Sequence, residues 1–245
     1  MTTTFSKSPS PKTTSTTSSF RLEAIRGLAF GAGTGTFLCL VGWLSPLAAA
    51  DRPALALLAA TLSLPLGCLV ARHPSSVREA GGIGIRAVVA ALALSIVVSL
   101  PEPQLWVRVA SWCLASCLLG AAVGSSIRGA GPVATCVWLF LCGLPFFFQH
   151  LPVFRETAEE WALHACPWLG FSMDAFGGDP LRRPLIYMGH WTELTGATSL
   201  RMLQVSTLWF AAVLTLASLI VSSSIGRKRG ETEAAEVSEQ TAGQV

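Results

Sequence analysis

Residues 27–37 read GLAFGAGTGTF, and they open an apolar stretch without charged residues that continues to residue 50. Gly27, Gly31 and Gly35 follow one another at every fourth position. On a helix such residues share one face, and glycines there let the backbone of a neighbouring helix approach closely. A phosphate-binding loop would need G-x-G-x-x-G after a strand, whereas this run has G-x-G-x-G inside an apolar segment. The stretch therefore predicts a membrane helix that packs through its glycines.

The composition of the whole chain agrees with that prediction. Of the 245 residues, 51% are hydrophobic and only 13% are charged, whereas a soluble domain carries about 25% charged residues. Six of the seven cysteines lie in apolar stretches, where a thiol behaves as a small hydrophobic group. Only Cys166 lies in a polar region, so no disulfide framework is expected. The expected partner is the lipid bilayer, with no nucleic acid and no cofactor.

Six apolar stretches predict six transmembrane helices. A bilayer core about 30 Å thick requires about 20 helical residues. Five stretches are long and uncharged, and the other reaches that length if it begins at Gly81 and Arg86 extends its side chain to the membrane surface. Together they define an all-α polytopic transmembrane helix bundle. The predicted spans are 28–50, 54–71, 81–100, 109–127, 131–149 and 203–225.

The basic residues predict the orientation of this bundle over residues 27–225. With the N-terminus inside, eleven Lys and Arg fall in inside segments and two in short outside connections, which is the cytoplasmic bias of membrane proteins. Both termini are therefore expected in the cytoplasm, and the chain in a bacterial inner membrane. Residues 1–26 and 226–245 are predicted to be disordered. Ala48-Ala49-Ala50 resembles a signal cleavage site, but the apolar run exceeds that of a cleaved signal, which favours a retained helix.

Residues 150–202 form the one long extracytoplasmic loop, and loops of this length are often functional. An amphipathic helix over 155–166 that ends at Pro167, and a second apolar piece at 185–188, are expected to lie on the outer interface. The turn Gly177-Gly178-Asp179-Pro180 separates them. The loop carries the candidate binding residues Asp174, Asp179, Arg182, Arg183, His190 and Trp191.

No motif in the chain predicts a catalytic or metal site. There is no H-E-x-x-H, and Ser172 lacks the second glycine of a nucleophile elbow. Cys113 and Cys117 share a helix face but have no other ligand nearby in sequence, which favours core packing. Pro65 and two other prolines free backbone carbonyls, and we expect neighbouring helices to satisfy these. Gly120 and Gly124 repeat the spacing of four and predict further helix packing.

Three functional hypotheses follow from these patterns. The six-span plan with a long loop before the last span resembles, in outline, the membrane subunits of export-type ABC transporters, which implies other membrane subunits and a separate ATPase. The favoured hypothesis is a non-catalytic membrane subunit of a transporter or of another membrane complex. The alternatives are a membrane enzyme that acts through the loop at 150–202, and a stand-alone carrier for an uncharged solute.

Overall fold

The computed structural model describes most of the apolar part of the chain, and that part is helical, with short connections and without strands. The all-α prediction is therefore confirmed for the described part. The described residues are 16–44, 52–74, 76–99, 105–126, 129–148, 165–176, 206–218 and 220–221.

Within the described residues seven helices follow one another, and six of them overlap the predicted spans. Two, α3 and α4, are long and apolar enough to cross a membrane, and the described apolar parts of α2, α5 and α7 are shorter. A count of six spans therefore remains a prediction. The helices are α1 (Thr16–Leu44), α2 (Arg52–Val70), α3 (Val77–Ser99), α4 (Trp106–Ser126), α5 (Ala130–Phe148), α6 (Pro167–Phe176) and α7 (Ser206–Ser218).

The N-terminal boundary of the bundle lies earlier than the sequence predicted. Helix α1 begins at Thr16, so the expectation of disorder is wrong for residues 16–26. The reason is tertiary, because Glu23 in this extension forms an ion pair with Arg86 on α3, besides the pair with Arg26 in its own helix. Contacts with a neighbouring element stabilise a helix that its own composition would leave frayed.

Helix α3 also begins earlier, at Val77 rather than at residue 81. The hydroxyl of Ser76 accepts a hydrogen bond from the backbone N–H of Glu79 at 3.3 Å. This is the S-x-x-E pattern of a capped helix N-terminus, in which the serine satisfies an N–H that has no partner inside the helix. The pattern from Ser76 to Glu79 therefore indicates the start of α3 in the sequence itself.

The helices pair out of chain order. The most extensive contacts join α1 to α3 and α2 to α4, while α3 and α4 pack against each other at the centre. Helices α5 and α6 lie against α2 and α4. Helix α7 reaches α4 through Trp209, whose indole N–H donates to the hydroxyl of Ser111 at 3.0 Å.

Close backbone approach defines the α1–α3 contact. Gly27 and Gly31 lie against the carbonyl oxygens of Arg86 and Ala90, and a Cβ on either glycine would come within 3.0 Å of these atoms. Gly35 meets the side chain of Val97 one helical turn further on. The glycine face of α1 is therefore occupied by the backbone of α3.

A second glycine contact joins α2 to α4, and it is reciprocal. Gly120 lies against the carbonyl oxygen of Leu64, and Gly67 lies against that of Cys117. Gly124 packs on Ala71 just beyond the end of α2. Because each helix offers a glycine to the backbone of the other, the two axes approach more closely than side chains would permit. Gly67 had not been singled out from the sequence.

Small and large side chains are distributed differently between the inside and the outside of the bundle. Most buried residues of α3 and α4 are Ala, Gly, Ser or Cys. Many of the large apolar side chains of α1, α5 and α7 point away from the other helices, whereas Leu38, Leu144 and Leu208 are buried. The exposed ones are Leu22, Ile25, Leu28, Phe30, Phe37 and Leu40 on α1, Val133, Val137, Leu139 and Phe140 on α5, and Phe210, Val213 and Leu214 on α7.

Pro65 lies inside α2, and its missing N–H leaves the carbonyl of Thr61 without its helical partner. The indole N–H of Trp138 on α5 donates to that carbonyl at 2.8 Å. A neighbouring helix thus satisfies the acceptor that the proline frees. The same bond explains why a tryptophan with a polar N–H lies this deep in the bundle.

Paired substitutions at Gly31 and Gly33 test the α1–α3 contact. Gly31→Ala should lower the free energy of unfolding by about 1–3 kcal/mol, because its Cβ meets the backbone of α3. Gly33 has no neighbouring atom within 4 Å, so Gly33→Ala should raise the free energy by about 0.5–1 kcal/mol through helix propensity. SDS unfolding followed by circular dichroism measures both. Equal effects of the two substitutions would refute the contact.

A double-mutant cycle tests the bond from Trp138 to Thr61. Trp138→Phe should cost about 1–2 kcal/mol of unfolding free energy, since it leaves the carbonyl unpaired. In a Pro65→Ala background the new N–H at position 65 satisfies Thr61, so the cost should fall by at least about 0.5 kcal/mol. Trp209→Phe, whose bond goes to Ser111, is the control and should cost the same in both backgrounds. Additive effects of the Pro65 and Trp138 substitutions would exclude this account.

Candidate functional site

Of the six candidate binding residues, the structure places Asp174. It lies near the end of α6, against the first turns of α4, and its side chain is exposed at the surface. The other five lie outside the described residues. They are Asp179, Arg182, Arg183, His190 and Trp191.

Helix α6 is held against α4 by an arrangement that we call the Asp174 cluster: Arg108, Trp112, Phe171, Asp174 and Ala175. The indole N–H of Trp112 donates to Oδ2 of Asp174 at 2.9 Å. The ring of Trp112 meets the ring of Phe171 edge to face, with centroids 5.7 Å apart and an interplanar angle of 83°. Both rings are almost fully buried. Trp112 thus joins α6 to α4 both through the hydrogen bond of its N–H and through the packing of its ring.

Arg108 completes the Asp174 cluster at the C-terminus of α6. Its Nη1 donates to the backbone carbonyls of Asp174 at 3.2 Å and of Ala175 at 2.8 Å. The last carbonyls of a helix have no partner within it, and a cation there also balances the negative end of the helix dipole. Arg108 therefore holds α6 in place, and one oxygen of Asp174 is already engaged by Trp112.

The sequence assigned residues 167–176 to the long loop and predicted no element there. In the structure Pro167, Phe171 and Ala175 are buried among α2, α4 and α5. Pro167 was interpreted as the end of a preceding helix, and it is the first residue of α6. Proline is favoured at that position because its missing N–H needs no partner there. The proline thus indicated where a helix begins.

Cys166 is buried, although it lies in a polar region of the sequence. It lies just before α6, with its Sγ 3.7 Å from the carbonyl oxygen of Cys142 on α5. Packing of α6 into the bundle covers it, so Cys166 is unsuitable as a surface probe of topology.

A second polar arrangement, the Arg86 cluster, joins α1, α2 and α3 and is formed by Glu23, Arg26, Val70 and Arg86. Nε and Nη2 of Arg86 both donate to Oε2 of Glu23 on α1. Nη1 of Arg86 donates to the carbonyl of Val70, the last residue of α2, at 3.1 Å. One guanidinium therefore joins three helices, and its planar set of donors suits this task.

The guanidinium of Arg86 reaches the end of α2, but it is buried between helices and was expected to be exposed at the membrane surface. Its side chain is only 5% exposed, and its ion-pair partner Glu23 is 19% exposed. The partner was missed because Glu23 lies in the segment that was expected to be disordered. A buried charge is tolerated when an opposite charge and hydrogen bonds compensate for its lost hydration. Glu23 provides the charge, and the end of α2 provides a further acceptor.

His73 ties the connection after α2 to the end of α4 at this same end of the bundle. Its Nδ1 lies 2.9 Å from the backbone oxygen of Ser125. The Arg86 cluster and the Asp174 cluster therefore lie toward opposite ends of the bundle. The two arrangements are independent.

Buried thiols serve the packing of the central helices. The Sγ of Cys117 lies 3.4 Å from the carbonyl oxygen of Ala87 on α3, and that of Cys68 lies 3.5 Å from Gly120 on α4. Cys113 is fully buried beside them. Among the residues with a described position, no group of three or more His, Cys, Asp or Glu side chains could hold a metal ion.

Comparison of the chain with protein-family models, with curated proteins and with solved structures finds no match.

The Arg86 cluster yields a prediction with an internal control. Glu23→Gln should lower the free energy of unfolding by about 3–5 kcal/mol, because it leaves the buried Arg86 without a counter-charge. Arg26→Gln removes the other ion pair of the same carboxylate, but Arg26 is 41% exposed, and its loss should cost less than about 1 kcal/mol. Unfolding in SDS measures both variants. If the two variants were equally stable, Arg86 would not depend on Glu23.

Proposed function

We propose that the chain is an integral membrane protein that serves as a non-catalytic subunit of a larger membrane complex. The observation that supports this proposal is the distribution of small and large side chains between the inside and the outside of the bundle. Small residues make the closest contacts between helices, and exposed large apolar residues cover much of the outside of α1, α5 and α7. Helices in a bilayer pack in this way because lipid solvates large apolar side chains while small residues let backbones meet.

A water-soluble bundle would show the opposite arrangement. The hydrophobic effect there draws Leu, Ile and Phe into the core, and large continuous apolar surfaces mark a binding or membrane face. Phe37 is 62% exposed and Phe210 is 71% exposed. These faces therefore favour contact with lipid or with an apolar partner over contact with water.

The role of Arg86 supports a structural function over ion coupling. Carriers coupled to protons or ions keep ionisable residues in the membrane to bind their substrate. Here the buried guanidinium is engaged by Glu23 and by the backbone of α2. Its donors join helices together, which is the task of a structural residue.

The peripheral position of α1 supports a subunit role. Its glycine face is taken by α3, and most of the remaining surface is exposed and apolar. A helix attached along one side offers its other side to lipid or to a further subunit. A permease subunit with a separate ATPase is one complex of this kind, consistent with the six-span plan of the sequence.

Two measurements test the proposal. The protein expressed in bacteria should stay with the membrane after carbonate extraction. After crosslinking in intact membranes and purification in mild detergent, it should co-purify with other membrane proteins in a fixed ratio. Release by carbonate would exclude integration. A solitary monomer that moves a solute across liposomes unaided would favour the stand-alone carrier instead.

A further inference from the structure

The Arg86 end of the bundle gathers exposed arginines from three parts of the chain. Arg21 lies near the start of α1, Arg72 follows α2, and Arg78 is in the first turn of α3. The bonds from Arg86 to Glu23 and to Val70 bring these three segments to one end. The sequence distributes the arginines over 58 positions, and the fold unites them at one surface.

These three arginines are the unpaired cations of that surface. Among the described residues the ion pairs involve Arg26 and Arg86, and both go to Glu23. Arg21, Arg72 and Arg78 are exposed and form no ion pair there. Glu79 is the exposed carboxylate in the same region, so positive charge remains in excess at this end.

We propose that the basic surface of Arg21, Arg72 and Arg78 binds the headgroups of anionic phospholipids. The proposal rests on the membrane location argued above. In that location the surface lies where apolar helix sides meet a bundle end, the level at which lipid phosphates are found. A guanidinium matches a phosphate through paired, charge-assisted hydrogen bonds. Basic residues beside an anionic bilayer surface attract it, by about a fivefold gain in binding each.

Thermal unfolding in mixed micelles tests the proposal. The full-length protein, purified in a neutral detergent, is titrated with phosphatidylglycerol or with phosphatidylcholine. Phosphatidylglycerol should raise Tm at lower lipid concentration than phosphatidylcholine. In the variant Arg21→Gln/Arg72→Gln/Arg78→Gln, the half-saturating concentration of phosphatidylglycerol should rise by about a hundredfold. The variant Arg21→Lys/Arg72→Lys/Arg78→Lys keeps the charge and should retain most of the effect.

Three results would overturn this inference. They are equal stabilisation by the two lipids, an unchanged titration in the glutamine variant, and equal stabilisation by inorganic phosphate at the same concentration, which would indicate a site for free phosphate. The experiment needs no partner subunit. A membrane protein without partners could still pass it, and a subunit of a complex could still fail it, so this inference and the proposed function fail separately.

Discussion

Close approach of helix backbones is the constraint on which the rest of this bundle depends. Gly31 on α1 and Gly120 on α4 each face a carbonyl oxygen of another helix, where even a methyl group would not fit. With α1 held against α3 at this distance, Glu23 reaches Arg86, and with α2 held against α4, the end of α2 comes within reach of the same guanidinium. The small residues thus determine which polar groups can meet.

Several polar groups of the bundle have their hydrogen-bond partners on other helices. Trp138 donates a hydrogen bond to the carbonyl that Pro65 leaves free, and Arg108 donates to the carbonyls at the end of α6. Arg86 donates hydrogen bonds to the carboxylate of Glu23. An unpaired polar group is costly in an apolar surrounding, so each of these bonds favours one arrangement of helices over its alternatives. Glycine packing determines the distances between helices, and the polar pairs determine which helices are neighbours.

The sequence predicted the positions of six of the helices because the lengths of uncharged apolar runs are a local property. The partner of a polar group is a non-local property, and the predictions failed there. Glu23 and Arg86 are remote in sequence, and one lies in a segment that looked disordered. Pro65 indicates that one backbone carbonyl of α2 lacks its helical partner, but nothing nearby in the sequence identifies Trp138 as the donor to it. In the candidate site, Asp174 was chosen for its charge, while its role in holding α6 depends on Trp112.

The most direct measurement of the central claim is the exposure of individual side chains to lipid. Membranes that contain the protein are irradiated with a lipid-soluble diazirine, and mass spectrometry locates the labelled residues. The account predicts label on the outward aromatic residues Phe37, Phe140 and Phe210, and none on the buried pair Trp112 and Phe171. Equal labelling of the two sets, or label confined to the buried pair, would contradict a bundle with small residues inside and large apolar residues facing lipid.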